Sequence, residues 1–444
     1  MSSRKPQSTF IDPNLRNIIL MGLVGNVVEW YDFALYGYFA VIIGKLFFPS
    51  SDPSLSLLAS FGAFASGFLM RPIGGLVFGR IGDSVGRNAA MSLSVLAMAI
   101  PTVLMSLLPT YADIGMGAPI ALITLRIIQG LSVGGEYTSS LIFLAENAPS
   151  NRRAFTAIWG SWGGVLGMLL GSGIGLVTAR ILPADSLELW GWRIPFAIGG
   201  ILAVIGWWVR KKLPSVPHEV AISSPIIEIM KNYRSHLARV VLINIGCGVS
   251  FYTVFVYAVT YIRNIDHFSD AVTRELNTLS LLVFLVVLPV TAWLSDLYSR
   301  RIVLTVSMSV LLFAALPLFQ MIHTDTASAV FIGEFLFAIL VAMASGGIVA
   351  LNVELFPTQI RCTGLALAYN ISNGIFGGTT PLVAAWLLRE TANPIAPVYW
   401  LVGALTISTV TLLLWIRDHH LHPINHETPD SNSPLSETSD KGLP

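Results

Sequence analysis

The chain has 444 residues, of which 54% are hydrophobic and only 11% charged, with a net charge of +1. Soluble domains average about a quarter charged residues, so this composition excludes a soluble globular protein and predicts a polytopic membrane protein. The near-neutral balance, without a basic patch, excludes nucleic acid as a partner. Cys247 and Cys362 are too few for a disulfide framework.

A bilayer core takes about 20 apolar residues per helix. That rule predicts twelve spans, over about 17–46, 55–80, 89–109, 118–146, 154–182, 191–210, 237–263, 275–295, 302–322, 328–354, 363–388 and 396–416. The predicted fold is an all-α membrane protein, its twelve transmembrane helices arranged in two pseudo-symmetric six-helix halves. Residues 1–16 form an N-terminal tail, 17–210 the first half, 211–236 a Lys-, Arg-, Pro- and Ser-rich linker, 237–416 the second half and 417–444 a disordered tail. With the N-terminus inside, eighteen Lys and Arg face the cytoplasm and six the exterior. Both termini and the linker are therefore expected to be cytoplasmic. The first apolar run is too long and too acidic for a cleaved signal peptide.

Span 1 carries GLVGNVVEWYDFALYGY over Gly22–Tyr38, in which Gly22, Gly25, Glu29, Asp32 and Tyr36 share one helical face. A carboxylate inside a membrane is costly and is tolerated where it faces the bundle interior or a water-filled cavity. After span 2 the chain reads GRIGDSVGRN, and after span 8 AWLSDLYSRR, so Asp83/Arg87 and Asp296/Arg300 repeat a D-x-x-x-R spacing at an offset of 213. Glu146, Pro149 and Arg153 after span 4 recur as Glu354, Pro357 and Arg361 after span 10, at an offset of 208. Two registers of this kind indicate parallel halves with a substrate site between them.

On span 5, Gly163, Gly167, Gly171 and Gly175 follow the small-xxx-small spacing of a packing face. No span contains a histidine, so any proton relay must use carboxylates. His419, His420, His422 and His426 read as solvated tail; no metal and no cofactor is expected. No G-x-x-x-x-G-K-[ST] loop is present, so the energy should come from an ion gradient.

The stretches NVVEWYDFALYGYFA (26–40), RPIGGLVFGRIGD (71–83), RIIQGLSVGGEY (126–137), GWRIPF (191–196), ELFPTQIRCTG (354–364) and YNISNGIFGGTTP (369–381) resemble the major facilitator superfamily. Within it they resemble the metabolite:proton symporters, which include citrate, 2-oxoglutarate, shikimate and proline/betaine carriers. Loop 8–9 departs from the pattern in lacking the glycines of loop 2–3. The tail has no heptads for the coiled coil of the osmosensing members.

Depth along each helix, at about 1.5 Å per residue, places Glu29, Arg71 and Glu136 at one level and Asp32 within reach of Arg126. Asp32 and Arg126, with Glu29 and Glu136, are the proton-coupling candidates, because an acid whose guanidinium partner can be withdrawn is a proton switch. The resemblance, in which an acid on span 1 faces an arginine on span 4, points to Asp32 with Arg126. The alternative is an ion pair that only holds helices together. Arg126 also suits bidentate carboxylate recognition, and Arg71, before Pro72, is either a brace or a substrate contact. Further substrate-binding candidates are Tyr36, Gln129, Tyr137, Trp162, Tyr252, Asn352, Tyr369, Asn370 and Asn373. By the resemblance, Asp83, Arg87, Glu146 and Arg153, with Asp296, Arg300, Glu354 and Arg361, form a conformational latch; a topology-setting loop is the plainer alternative.

The expected function is proton-coupled import of a small carboxylate or zwitterion by a monomer in the bacterial inner membrane, with proton rather than sodium implied by the family. Proton-coupled export is the alternative, and a non-transporting sensor a remote one. No nucleophile–base set supports an enzyme.

Overall fold

The computed structural model describes residues 13–210, 225–264, 268, 270–324 and 326–416. The N-terminal tail to residue 12, linker residues 211–224 and the tail with its histidines lie outside the described residues. The described residues are helical with short connections. Eleven helices are long and apolar enough to cross a membrane, and a bent pair, Ala184–Gly191 with Arg193–Trp208, makes a twelfth.

In the first half, spans 1 to 5 are Pro13–Phe47, Pro53–Ser84, Arg87–Leu107, Gly117–Glu146 and Arg153–Ile181, and span 6 is the bent pair. Span 1 lies chiefly along span 5, and span 2 along span 4. Glycines permit both approaches. A Cβ on Gly163 would lie 2.8 Å from the Leu23 carbonyl oxygen, and one on Gly171 2.6 Å from that of Tyr31.

In the second half, span 8 is Asp270–Leu297, span 9 Arg300–Ile322 and span 12 Pro397–Leu414. The other three depart from the continuous helices expected of them. Span 7 runs Arg234–Tyr252, widens to a π turn at Thr253–Tyr257 and ends as Ala258–Asn264. Span 10 is Ala327–Ser345 and Ile348–Glu354, parted at Gly346 and Gly347, where span 8 presses so close that a Cβ on Gly346 would lie 2.7 Å from the Thr291 Cβ. Span 11 is Arg361–Tyr369, a π segment Asn370–Gly377 and Thr380–Thr391. Its middle holds Asn, Ser and Gly, poor helix formers, and such π turns concentrate at functional sites. Within the expected linker, Pro225–Asn232 is a helix with Ile229 buried, and span 7 begins almost directly after it, at Arg234.

The halves repeat each other in detail. The Tyr31 hydroxyl donates to the Pro195 carbonyl at 2.8 Å in the first half, and Tyr261 to the Pro394 carbonyl at 3.1 Å in the second. The main contacts between halves join span 2 to span 11 and span 5 to span 8. They involve Arg361–Tyr369 and Asn370–Gly377 of span 11, while Thr380–Thr391 packs chiefly on spans 7 and 12 of its own half. The halves therefore close on the side of loops 2–3 and 8–9.

Candidate functional site

Asp32 is fully buried, and its Oδ2 lies 2.7 Å from Nη1 of Arg126, which is 1% exposed. The same Nη1 donates to Gln129 Oε1 at 2.6 Å, and Gln129 Nε2 donates to the Thr102 hydroxyl at 3.0 Å. That hydroxyl is 3.0 Å from Asp32 Oδ1, closing a ring across spans 1, 3 and 4. The guanidinium carbon sits 3.9 Å from the centroid of the Tyr36 ring, with Phe33 and Phe64 at 5.3 and 5.4 Å. Tyr36 donates to the Ser60 carbonyl at 3.0 Å. A buried ion pair is tolerated when other hydrogen bonds satisfy its remaining atoms; Thr102 does so for Asp32 Oδ1 and Gln129 adds a second bond to Arg126 Nη1, while Arg126 Nη2 is buried without a hydrogen-bond partner.

A cavity of about 100 Å³ lies between the halves. Trp30, Arg71, Tyr137 and Ser161 line it from the first half; Asn244, Phe251, Tyr252, Phe284, Asn352, Tyr369 and Asn373 line it from the second. Tyr137 and Tyr369 stack across the interface with centroids 4.8 Å apart. Asn244 and Asn352 exchange amide hydrogen bonds at 2.9 and 3.1 Å. Arg71 is the one arginine in the lining. It is 5% exposed, its Nε is buried without a hydrogen-bond partner, and its contact with a neighbouring side chain is the Phe68 ring at 5.3 Å. Glu29 and Arg71 both lie within electrostatic reach of the Tyr137 hydroxyl.

Two matched clusters join the halves at the closed side. Asp83, at the end of span 2, accepts from the backbone N–H groups of Cys362 and Thr363 at 3.0 and 2.8 Å and from the Thr363 hydroxyl at 2.7 Å. It thus caps span 11 of the opposite half, where a helix dipole favours negative charge. Arg87 pairs with Asp83 at 3.3 Å and Glu146 at 3.2 Å, and donates to the Thr358 carbonyl at 2.8 Å. Arg361 reaches Glu146 at 2.8 Å. In the second cluster Asp296 caps span 5, accepting from Ala154 and Phe155 N–H groups at 2.9 and 2.8 Å. Arg300 pairs with Glu354 at 3.1 Å and Asp296 at 3.4 Å, while Arg153 reaches Glu354 only at 4.0 Å.

A family model described as Sugar (and other) transporter matches residues 18–221, and one described as Major Facilitator Superfamily matches residues 266–441. The proline/betaine transporter of Salmonella typhimurium is 34% identical over 417 residues, covering 90% of this chain and 83% of that one. The chain belongs to the major facilitator superfamily. It is a secondary transporter and not an enzyme. The glycine betaine/proline/ectoine/pipecolic acid transporter OusA of Dickeya dadantii is 32% identical, covering 97% of this chain and 88% of its own. Among solved structures, the proton:xylose symporter XylE superposes with a TM-score of 0.73 at 18% identity, covering 90% of this chain and 94% of that one. FucP in the outward conformation gives 0.68 at 13% identity, covering 91% and 98%.

Of the residues expected at the transporter's substrate site, Tyr137, Tyr252, Asn352, Tyr369 and Asn373 line the cavity. Arg126, Tyr36 and Gln129 do not; they belong to the buried ring around Asp32. Trp162 donates to the Leu285 carbonyl at 3.0 Å, and Asn370 to the Gly134 carbonyl at 3.1 Å, so both tie the halves together outside the lining. Glu136 turns toward span 3, where it accepts a short hydrogen bond from Ser94. Sequence reasoning passed over Thr102, Ser60, Ser94 and Ser161. A single hydroxyl in an apolar span carries no pattern, since it can equally bond its own helix backbone.

Proposed function

We propose that this transporter imports a small carboxylate or zwitterion together with protons across the bacterial inner membrane, with both termini in the cytoplasm. The observation that carries the reading is Arg71, a guanidinium whose Nε is buried without a hydrogen-bond partner, presented to a cavity walled by aromatic rings. An arginine in that position is prepared for a solute carboxylate. Trp30, Tyr137, Phe251, Tyr252 and Tyr369 offer ring faces to an ammonium group at the solute's other end. The names of the similar transporters, which list proline, glycine betaine and ectoine, agree with such a solute.

Arg126 was the stronger sequence candidate for the carboxylate, but its partners are Asp32, Gln129 and Tyr36, and it suits the coupling role. With the halves shut on the side of loops 2–3 and 8–9, the cavity faces the exterior in the expected topology. Solute enters, Asp32 takes up a proton, the Asp32–Arg126 pair loosens, and the halves rock to open inward.

The test is binding to purified protein. Solutes from organic acids, amino acids and betaines that raise the melting temperature should lose affinity about 10- to 100-fold in Arg71→Gln, the value of one charge-assisted hydrogen bond. Arg71→Lys should lose less. Equal affinity in all three proteins contradicts the assignment.

A further inference from the structure

Glu334 on span 10 is the buried acid that the scheme above leaves unused. It is 1% exposed, its Oε2 is buried without a hydrogen-bond partner, and it does not line the central cavity. Its position is telling: the register that relates span 4 to span 10 by 208 residues places Glu334 at the counterpart of Arg126. The first half thus carries a guanidinium engaged with an acid, and the second half carries an acid alone.

Span 10 packs on spans 7, 8 and 9. The described titratable side chains that these spans carry toward that end are Tyr257 and Tyr261 on span 7, Glu275 on span 8 and His323 beyond span 9. Tyr261 is bonded to the Pro394 carbonyl and sets its ring 5.8 Å from that of His323, and Glu275 is exposed. The side chains of Arg263, Asp270 and Arg274 lie outside the described residues. The Tyr257 hydroxyl, on the π turn that packs against span 10, is likewise buried without a hydrogen-bond partner. An ionised carboxylate in such surroundings would cost several kcal/mol.

We propose that Glu334 is a second proton-carrying carboxylate, loaded in the conformation described here and emptied when spans 7 and 10 rearrange. In emptying, the carboxyl O–H bond breaks, the proton passes to water and the carboxylate remains; reloading reverses the step. The parting of span 10 at Gly346 and Gly347 and the π turn of span 7 are where the backbone can yield. The inference rests on the proton-coupled reading above, and the experiment separates the two.

Two measurements on Glu334→Gln decide it. In the infrared spectrum of the purified protein at neutral pH, the carbonyl stretch of a protonated carboxylic acid should be present in the wild type and Asp32→Asn, and diminished in Glu334→Gln. In proteoliposomes the Gln variant should keep solute exchange but carry one proton fewer per solute. With a pH step of one unit, this lowers the limiting accumulation about tenfold. Glu334→Asp should restore both. An unchanged infrared band, or an unchanged proton count in an exchange-competent Gln variant, overturns the proposal. A wild type that accumulates solute without moving protons removes the coupling reading as well, and shows itself before any variant is made.

Discussion

Asp83 and Asp296, 213 residues apart, each cap the first turn of a helix in the opposite half: Asp83 through the Cys362 and Thr363 N–H groups, Asp296 through those of Ala154 and Phe155. The two caps are related by the pseudo-twofold of the fold, so one spacing in the sequence produces two matched contacts between the halves on the same side of the transporter.

Losing one cap should shift the balance of conformations more than it affects the fold. Asp83→Asn removes one of the two accepting oxygens and the charge that Arg87 pairs with, and hydrogen bonds to charged groups contribute about 1.5–3 kcal/mol, so the variant should raise the inward-open population at least several-fold. Cys247 lines the cavity and offers a reporter. Its labelling by a membrane-impermeant maleimide from the exterior should slow in Asp83→Asn and slow further in the double variant with Asp296→Asn. Unchanged labelling together with an unchanged transport rate would remove the latch.

Gly79, buried beside span 11, should be hard to replace. A Cβ there would lie 2.9 Å from the Thr363 backbone Cα, a contact that no side-chain rotation relieves. Gly79→Ala should therefore push spans 2 and 11 apart and slow Cys247 labelling in the manner of Asp83→Asn. Wild-type labelling in this variant would mean that the halves do not need so close an approach.

The Thr102 hydroxyl, which also reaches the Met98 carbonyl of its own helix at 2.9 Å, serves two partners on other spans, Asp32 Oδ1 and Gln129 Nε2. Thr102→Val keeps its shape but leaves both buried atoms short of a bond, at a cost of about 1–3 kcal/mol. The purified variant should melt several degrees lower, and Thr102→Ser should lie near the wild type. Equal melting of Val and wild type would show that the ring is not closed through this hydroxyl.

Much of this was legible in the sequence. Twelve apolar runs divide six and six around a polar linker, and the repeated D-x-x-x-R and Glu–Pro–Arg spacings identified all eight residues now found in the two clusters. Helix rise placed Asp32 near Arg126. What rise does not supply is azimuth: Arg71, Glu29 and Glu136 share a level, yet Arg71 turns to the cavity and Glu136 to span 3. For the same reason Arg126 looked available for substrate until its neighbours Tyr36 and Gln129 were placed around it. The π segments of spans 7 and 11 were also hidden: Thr253–Tyr257 is apolar enough to read as plain helix, and the Asn, Ser and Gly of Asn370–Gly377 mark a weak helix without specifying a π turn.

The central claim is that the Asp32–Arg126 pair couples protons to solute. The direct measurement compares uptake and exchange by Asp32→Asn in proteoliposomes under an inward proton gradient. Loss of gradient-driven accumulation with exchange of solute retained is the predicted result, whereas full accumulation by Asp32→Asn would contradict it.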